Sequence, residues 1–195
     1  MFAEFIYRPP SGEYQEKHFG DTASDCSWVK FTTDVGDEWV GSFQNGWLDN
    51  SRIIKLLDRH EKAFIVANGA AYLINTTTRQ LVNSTEISDV KTVLVDNDQY
   101  NTYYSNGYDL RFIDIHGSET CLFEYNGFDD VQLTNIKDNK LYATYFHYQD
   151  SNKQFHIELD LITKQVRDSL YDATQPATSE TAQNVKDSKP WWRLW

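Results

Sequence analysis

Carboxylates are the chemistry-bearing side chains that stand out here by number and spacing. Between Glu86 and Asp130 lie ten of them (Glu86, Asp89, Asp96, Asp98, Asp109, Asp114, Glu119, Glu124, Asp129, Asp130) against two bases, Lys91 and Arg111, a net of −8 in 45 residues. Inside this stretch, "DNDQYNTYYSNGYDL" alternates Tyr100, Tyr103, Tyr104 and Tyr108 with small polar residues. Tyrosine offers large contact area at low entropic cost, small polar neighbours adapt their hydrogen bonds, and carboxylates speed the approach of a cation. Asp96, Asp98, Tyr100, Tyr103, Tyr104, Tyr108 and Asp109 are therefore the expected partner-binding residues, and the expected partner is a cationic protein. The competing reading is a hairpin whose tyrosines pack half inward.

Other constellations fall short of catalysis. His60 sits among mixed charges in "DRHEK", which suits a loop. His147 and His156 fall on adjacent predicted strands where they could face one another, but a metal site needs a third ligand and tighter spacing. "DNDQYN" from Asp96 opens like a calcium loop, then puts Asn101 where the glycine belongs and Gly107 where the closing glutamate belongs. No phosphate-cradling glycine loop or nucleophile elbow appears. No catalytic residue, metal or cofactor is expected. A second reading is a small-ligand or enzymatic module using His116, His147 or His156.

The last seven residues, "KPWWRLW", hold three of the six tryptophans. The polar stretch before them, "DATQPATSETAQNVKDS", reads as a flexible linker. Trp191, Trp192, Arg193 and Trp195 have the composition of a binding hot spot, and the expectation is docking onto protein. Docking onto the chain's own body or a second copy ranks ahead of a foreign partner. In trans, such docking would make the chain an assembly component and a homo-oligomer.

The formal net charge is −11; residues 1–172 carry 27 acids against 15 bases, and residues 173–195 carry two against three. An acidic body repels phosphates, which disfavours nucleic acid and anionic lipid as partners. No run of about 18 apolar residues exists, and "MFAEFIYRPP" lacks the basic start and long apolar run of a secretory signal. The expectation is a soluble cytoplasmic chain. Cys26 and Cys121 lack metal spacing and are expected as free thiols, although spacing alone leaves a bridge open. The sequons at Asn75 and Asn83 occur at about the chance rate for this composition and carry no weight unless the chain is secreted.

The elements that must position these residues repeat. "KAFIVANGAAYLINTTTRQLV" from Lys62, "TYYSNGYDLRFIDIHGSETCLF" from Thr102 and "KLYATYFHYQDSNKQFHIELDLITKQV" from Lys140 share one shape. Each runs from an apolar, aromatic strand through a Gly, Asn or Asp turn to an alternating strand ending in Ile-Asn, Ile-Asp or Leu-Asp. The anchors Ile74, Ile113 and Leu159 are 39 and 46 residues apart. A period near 40 built from about four short strands is what a propeller blade requires. Adding "RIIKLL", "KTVLVD" and "VQLTNI" as first strands gives units at 53–88, 90–126 and 128–171, with residues 1–50 as a divergent fourth. One domain over 1–172 and a linker with its docking segment over 173–195 complete the division.

The third unit resembles the repeats of β-propeller proteins, through "NKLYATYF" followed by "HIELDLITKQV". That resemblance implies an all-β, propeller-like array of three to four four-stranded antiparallel units, with a β-sandwich as the alternative. It lacks the Gly-His and Trp-Asp signatures of one well-known propeller class, so it assigns no functional residue. A small, acidic chain without catalytic motif is also similar in class and charge to bacterial immunity proteins, which implies neutralisation of a cationic toxin.

Overall fold

The computed structural model describes residues 1–21, 25–96, 100–124, 128–148, 150–170 and 173–176. They form four consecutive sheets. The first contains β1 (Phe2–Ile6), β2 (Gln15–Phe19), β3 (Cys26–Thr32) and β4 (Glu38–Gln44); the second β5 (Arg52–Leu57), β6 (Lys62–Ala67), β7 (Ala70–Asn75) and β8 (Gln80–Ser84). The third contains β9 (Thr92–Val95), β10 (Thr102–Ser105), β11 (Asp109–Ile113) and β12 (Glu119–Glu124). The fourth runs β13 (Phe128–Lys137), β14 (Lys140–His147), β15 (Asp150–Asp160), β16 (Gln165–Asp168) and β17 (Ala173–Pro176). Sheets two to four are antiparallel meanders, so the all-β, propeller-like expectation holds, and four stacked sheets replace the two of a sandwich. The fifth strand, β17, pairs with β16 and takes four residues of the stretch read as linker.

The repeated anchors have a local cause. At the end of β7 the Asn75 Oδ1 accepts hydrogen bonds from the Thr77 and Thr78 N–H groups, at 3.0 and 2.7 Å. Asp160 repeats this with Ile162 and Thr163 at 2.9 and 2.8 Å, and Asp114 with His116 and Ser118, both at 2.8 Å. A short polar side chain at this position bends the backbone back on itself and satisfies its N–H groups. In the other hairpins, Asn68-Gly69 and Asp138-Asn139 take left-handed φ of 47° and 98°, and of 52° and 57°, the two-residue geometry that matches strand twist.

Three apolar clusters join neighbouring sheets. Phe19, Val29, Phe31, Trp39 and Phe43 of the first sheet pack on Ala63, Ile65, Ala67, Tyr72 and Ile74 of the second. Phe64, Val66 and Leu73 on the second sheet's other face meet Val93, Tyr104 and Ile113 of the third. Tyr103, Leu110 and Leu122 then meet Leu141, Ala143, Tyr145 and Phe155 of the fourth. Middle sheets are thus buried on both faces, and each cluster removes a continuous apolar surface that a lone meander would leave in water.

The first sheet departs from the meander. Its order is β1-β3-β4-β2, with β2 parallel to β4, so residues 7–14 must cross from one edge to the other and from one end of the strands to the opposite end. They lie over the face turned away from the second sheet. There the Arg8 guanidinium sits 5.7 Å over the Trp28 ring, and Tyr14 lies within the field of Lys30 and Glu38. On this face Val40 is 0 % exposed, and Ser42, 1 % exposed, meets a ring nitrogen of His18 on β2 at 2.5 Å.

Because sheets two to four are meanders, their connections sort to two ends. The sheet-to-sheet linkers share one end, the linker end, with the β6–β7, β10–β11 and β14–β15 hairpins. The remaining turns lie at the opposite end. Backbone hydrogen bonds tie the linker end together: Trp47 N–H to Ser88 O, Val90 N–H to Gly69 O and Val131 N–H to Gly107 O, each 2.9 Å, and Lys91 N–H to Ser105 O at 2.8 Å.

Candidate functional site

The third sheet disperses the residues expected to form one face. Its strand β10 has a packed neighbour on each side, so alternation sends Tyr103 into the core shared with the fourth sheet and Tyr104 into the core shared with the second. At 1 % and 0 % exposure neither can touch a partner, and their expected role is corrected to that of core residues. Burial pushes both hydroxyls above the ordinary tyrosine value; at Tyr104 the nearby Glu119 carboxylate adds to the shift.

The other expected residues separate to opposite ends, because four residues of β10 at about 3.3 Å each stand between them. Asp96 and Tyr100 precede β10. Asp96 is 7 % exposed, and its backbone N–H donates to Asn101 O at 2.9 Å. Tyr100 takes a left-handed φ of 56°; the His60 ring stands edge-on at 4.3 Å and the Arg59 guanidinium lies 5.9 Å from its ring. It bridges the second and third sheets. Tyr108 and Asp109 follow β10 at the linker end. Asp98, Trp191, Trp192, Arg193 and Trp195 lie outside the described residues.

Much of the acidic stretch is engaged within the fold. Arg111, on the third sheet's face toward the second, donates to Glu86 at 3.0 Å, to Glu119 at 3.2 Å and to Asp109 at 3.3 Å. Burial opposes its charge, yet these carboxylates outweigh the penalty and hold its pKa above the usual value. Asp114 organises its turn, and Asp130 lies 3.7 Å from the Lys91 Nζ. Their charge therefore acts through the long-range field of the net charge more than as a local cluster.

The histidines do not converge. His156 lies between Phe155 and Ile157, which both point into the core, and so faces outward; His147 is buried at 7 %. The expectation that they could face one another is corrected, because they occupy opposite sides of one sheet. His116 is exposed in the β11–β12 turn. Among the described residues no group of three or more His, Cys, Asp or Glu is placed to hold a metal ion. No helix among them is long and apolar enough to cross a membrane. Cys26 and Cys121 are not joined in a disulfide, and burial raises the pKa of Cys26.

Sequence reasoning missed a different set. Trp47 is 84 % exposed, Tyr148 65 % and Tyr7 97 %, joining Tyr108 at 50 %. One signal was available: Asn-Gly precedes Trp47 as it precedes Tyr108. Gly46 is required there by close approach, since a Cβ would stand 2.1 Å from the Ser88 carbonyl oxygen and 2.3 Å from the Ala70 nitrogen. The backbone is thus pinned directly beside the exposed indole.

No protein-family model matches this chain, and no curated protein matches it significantly. Solved structures similar to it include the extracellular domain of the putative one-component system BT4673 from B. thetaiotaomicron, at 14 % identity and TM-score 0.45 over 85 % of this chain and 25 % of that one. Another is the β-propeller domain of Myceliophthora thermophila Cps50 (Swd1), at 7 % identity and TM-score 0.40 over 72 % of this chain and 44 % of that one. A third is KlHsv2 with loop 6CD replaced by a Gly-Ser linker, at 8 % identity and TM-score 0.38 over 77 % and 63 %. The chain therefore spans from 25 % to 63 % of the length of these proteins.

Proposed function

We propose that this chain is a non-enzymatic protein-binding module that holds a cationic protein, and that its role is neutralisation of a basic toxin in a reducing cytoplasm. One observation carries the reading. The fold buries Trp39, Tyr103, Tyr104 and Tyr145 to 1 % exposure or less, yet leaves Trp47, Tyr108 and Tyr148 at 84 %, 50 % and 65 %. Large aromatic side chains left in water by a scaffold this able to bury them mark a contact surface. The net charge of −11 sets the sign of the partner, and two cysteines outside any disulfide suit a reducing compartment.

The test is to cross-link the chain in its native cells, identify the bound protein and follow association of the purified pair against salt. The expected result is a basic partner whose association rate falls steeply from about 0.02 to 0.5 M salt, as charge steering requires. A neutral or acidic partner, or a rate indifferent to salt, overturns the reading.

A further inference from the structure

Resting on that reading, we infer that the contact is made by the linker end of the stack, and that it receives an Arg- and Lys-rich segment of the partner. Five aromatic side chains are well exposed among the described residues, namely Phe2, Tyr7, Trp47, Tyr108 and Tyr148. The topology brings four of them to one end. Tyr7 follows β1, whose last residue Ile6 pairs with Trp28 near the end where β3 begins and β4 finishes. Trp47 lies in the first sheet-to-sheet linker, Tyr108 in the β10–β11 hairpin and Tyr148 in the β14–β15 hairpin. Phe2 alone lies opposite, where the other exposed large apolar side chains include Val35 and Ile162, both aliphatic.

This end is continuous. Trp47 is bonded through its backbone to Ser88, three residues before Lys91; Lys91 lies 5.9 Å from the Tyr108 ring and 3.7 Å from Asp130; Val131 is bonded to Gly107. The linkers therefore form one backbone-bonded rim across the sheets, and pre-organised aromatic side chains on such a rim lose little entropy on binding.

Its chemistry selects a cation. Asp25, Asp49 and Asp129 are exposed on this end, with Asp89 and Asp130 half-buried. The basic residues there are drawn onto rings of the chain itself: Arg8 onto Trp28, Arg52 onto Phe5, Lys91 onto Tyr108 and Lys153 onto Phe155, at 5.1 to 5.9 Å. The rim already pairs ammonium and guanidinium groups with aromatic faces beside carboxylates, and Trp47 and Tyr148 extend the same pairing outward.

The probe is a fluorescein-labelled deca-arginine peptide, titrated by anisotropy at low salt into the full chain. The variants are Trp47→Ala and Tyr148→Ala on the rim, with Ile162→Ala at the opposite end as the control. The expected result is salt-sensitive binding, weakened about five-fold or more by each rim variant and unchanged by the control. Hydrogen exchange with the peptide bound should slow at residues 45–48, 106–108 and 147–148. Binding that the rim variants leave intact, or protection confined to 58–61, 76–79 and 161–164, overturns the location while leaving the cationic-partner reading standing. No salt-sensitive binding to the unmodified chain overturns both.

Discussion

Replacing Arg111 with Met should destabilise the protein by about 3 kcal/mol, although the side chain belongs to no contact surface. Met keeps most of the aliphatic stem and removes only the charged fork. Two of the carboxylates left behind are poorly hydrated: the Glu119 side chain is 9 % exposed and that of Asp109 15 %. Stranding buried charge without its counter-charge costs about 3 to 5 kcal/mol, and the residual exposure puts this case at the lower end. Glu86 is 78 % exposed, so Glu86→Gln should cost less than about 0.5 kcal/mol. For a domain of this size 3 kcal/mol corresponds to a Tm lower by about 6 to 12 °C. Calorimetry with urea unfolding measures both, and the double variant Arg111→Met, Glu119→Gln should recover part of the loss by removing one stranded charge. A loss below about 1 kcal/mol for Arg111→Met, or an equal loss for Glu86→Gln, would refute the account of a structural ion cluster between the second and third sheets.

Tyr103→Ala and Tyr104→Ala should each cost about 3 to 5 kcal/mol in urea unfolding while leaving partner affinity of the folded fraction unchanged; lost affinity with normal stability would return them to the contact surface. Gly46→Ala should cost about 3 kcal/mol, since the new Cβ would meet backbone atoms on two sides; a normal melting temperature would contradict the tight linker crossing. Tyr72, whose hydroxyl donates to Gln44 O at 2.9 Å, is pushed by burial to a pKa of about 12. Its raised folded value means the unfolded chain loses this proton first, from about pH 10. Its share should make stability fall by about 1.4 kcal/mol per pH unit toward pH 12, in addition to the shares of Tyr103 and Tyr104, which burial also raises, and Tyr72→Phe should remove that one share from the slope of unfolding midpoints measured at pH 9 and 11.

The repeat was legible because its anchors do local work. Ile74-Asn75, Ile113-Asp114 and Leu159-Asp160 recur since each turn needs an apolar residue for the core and an Asx side chain for the backbone. The fate of the tyrosines was not legible from the same window. Alternation shows that neighbours in β10 face opposite ways, but whether the second face meets water or another sheet depends on residues more than 20 positions distant. Burial of the strands tells the two cases apart: β14 alternates buried and half-buried side chains, whereas β10 is buried throughout. The chain contains the corresponding contrast, "LYATYFH" against "FIVA" and "AAYLI", apolar on both faces. The exposed rim was harder to read. Trp47 looks like a core tryptophan in composition, and only the hydrogen bonds of its linker show that the backbone is fixed while the ring is left outside.

The strap over the first sheet makes the stack directional. Rings of blades close by laying the last sheet against the first, yet here the chain has folded a loop of its own across that face, with Arg8 over Trp28. A further sheet, or a second molecule adding its sheets in register, could join the first sheet only by peeling the strap away. Among the described residues the first sheet is thus the side of the stack that already carries its own cover.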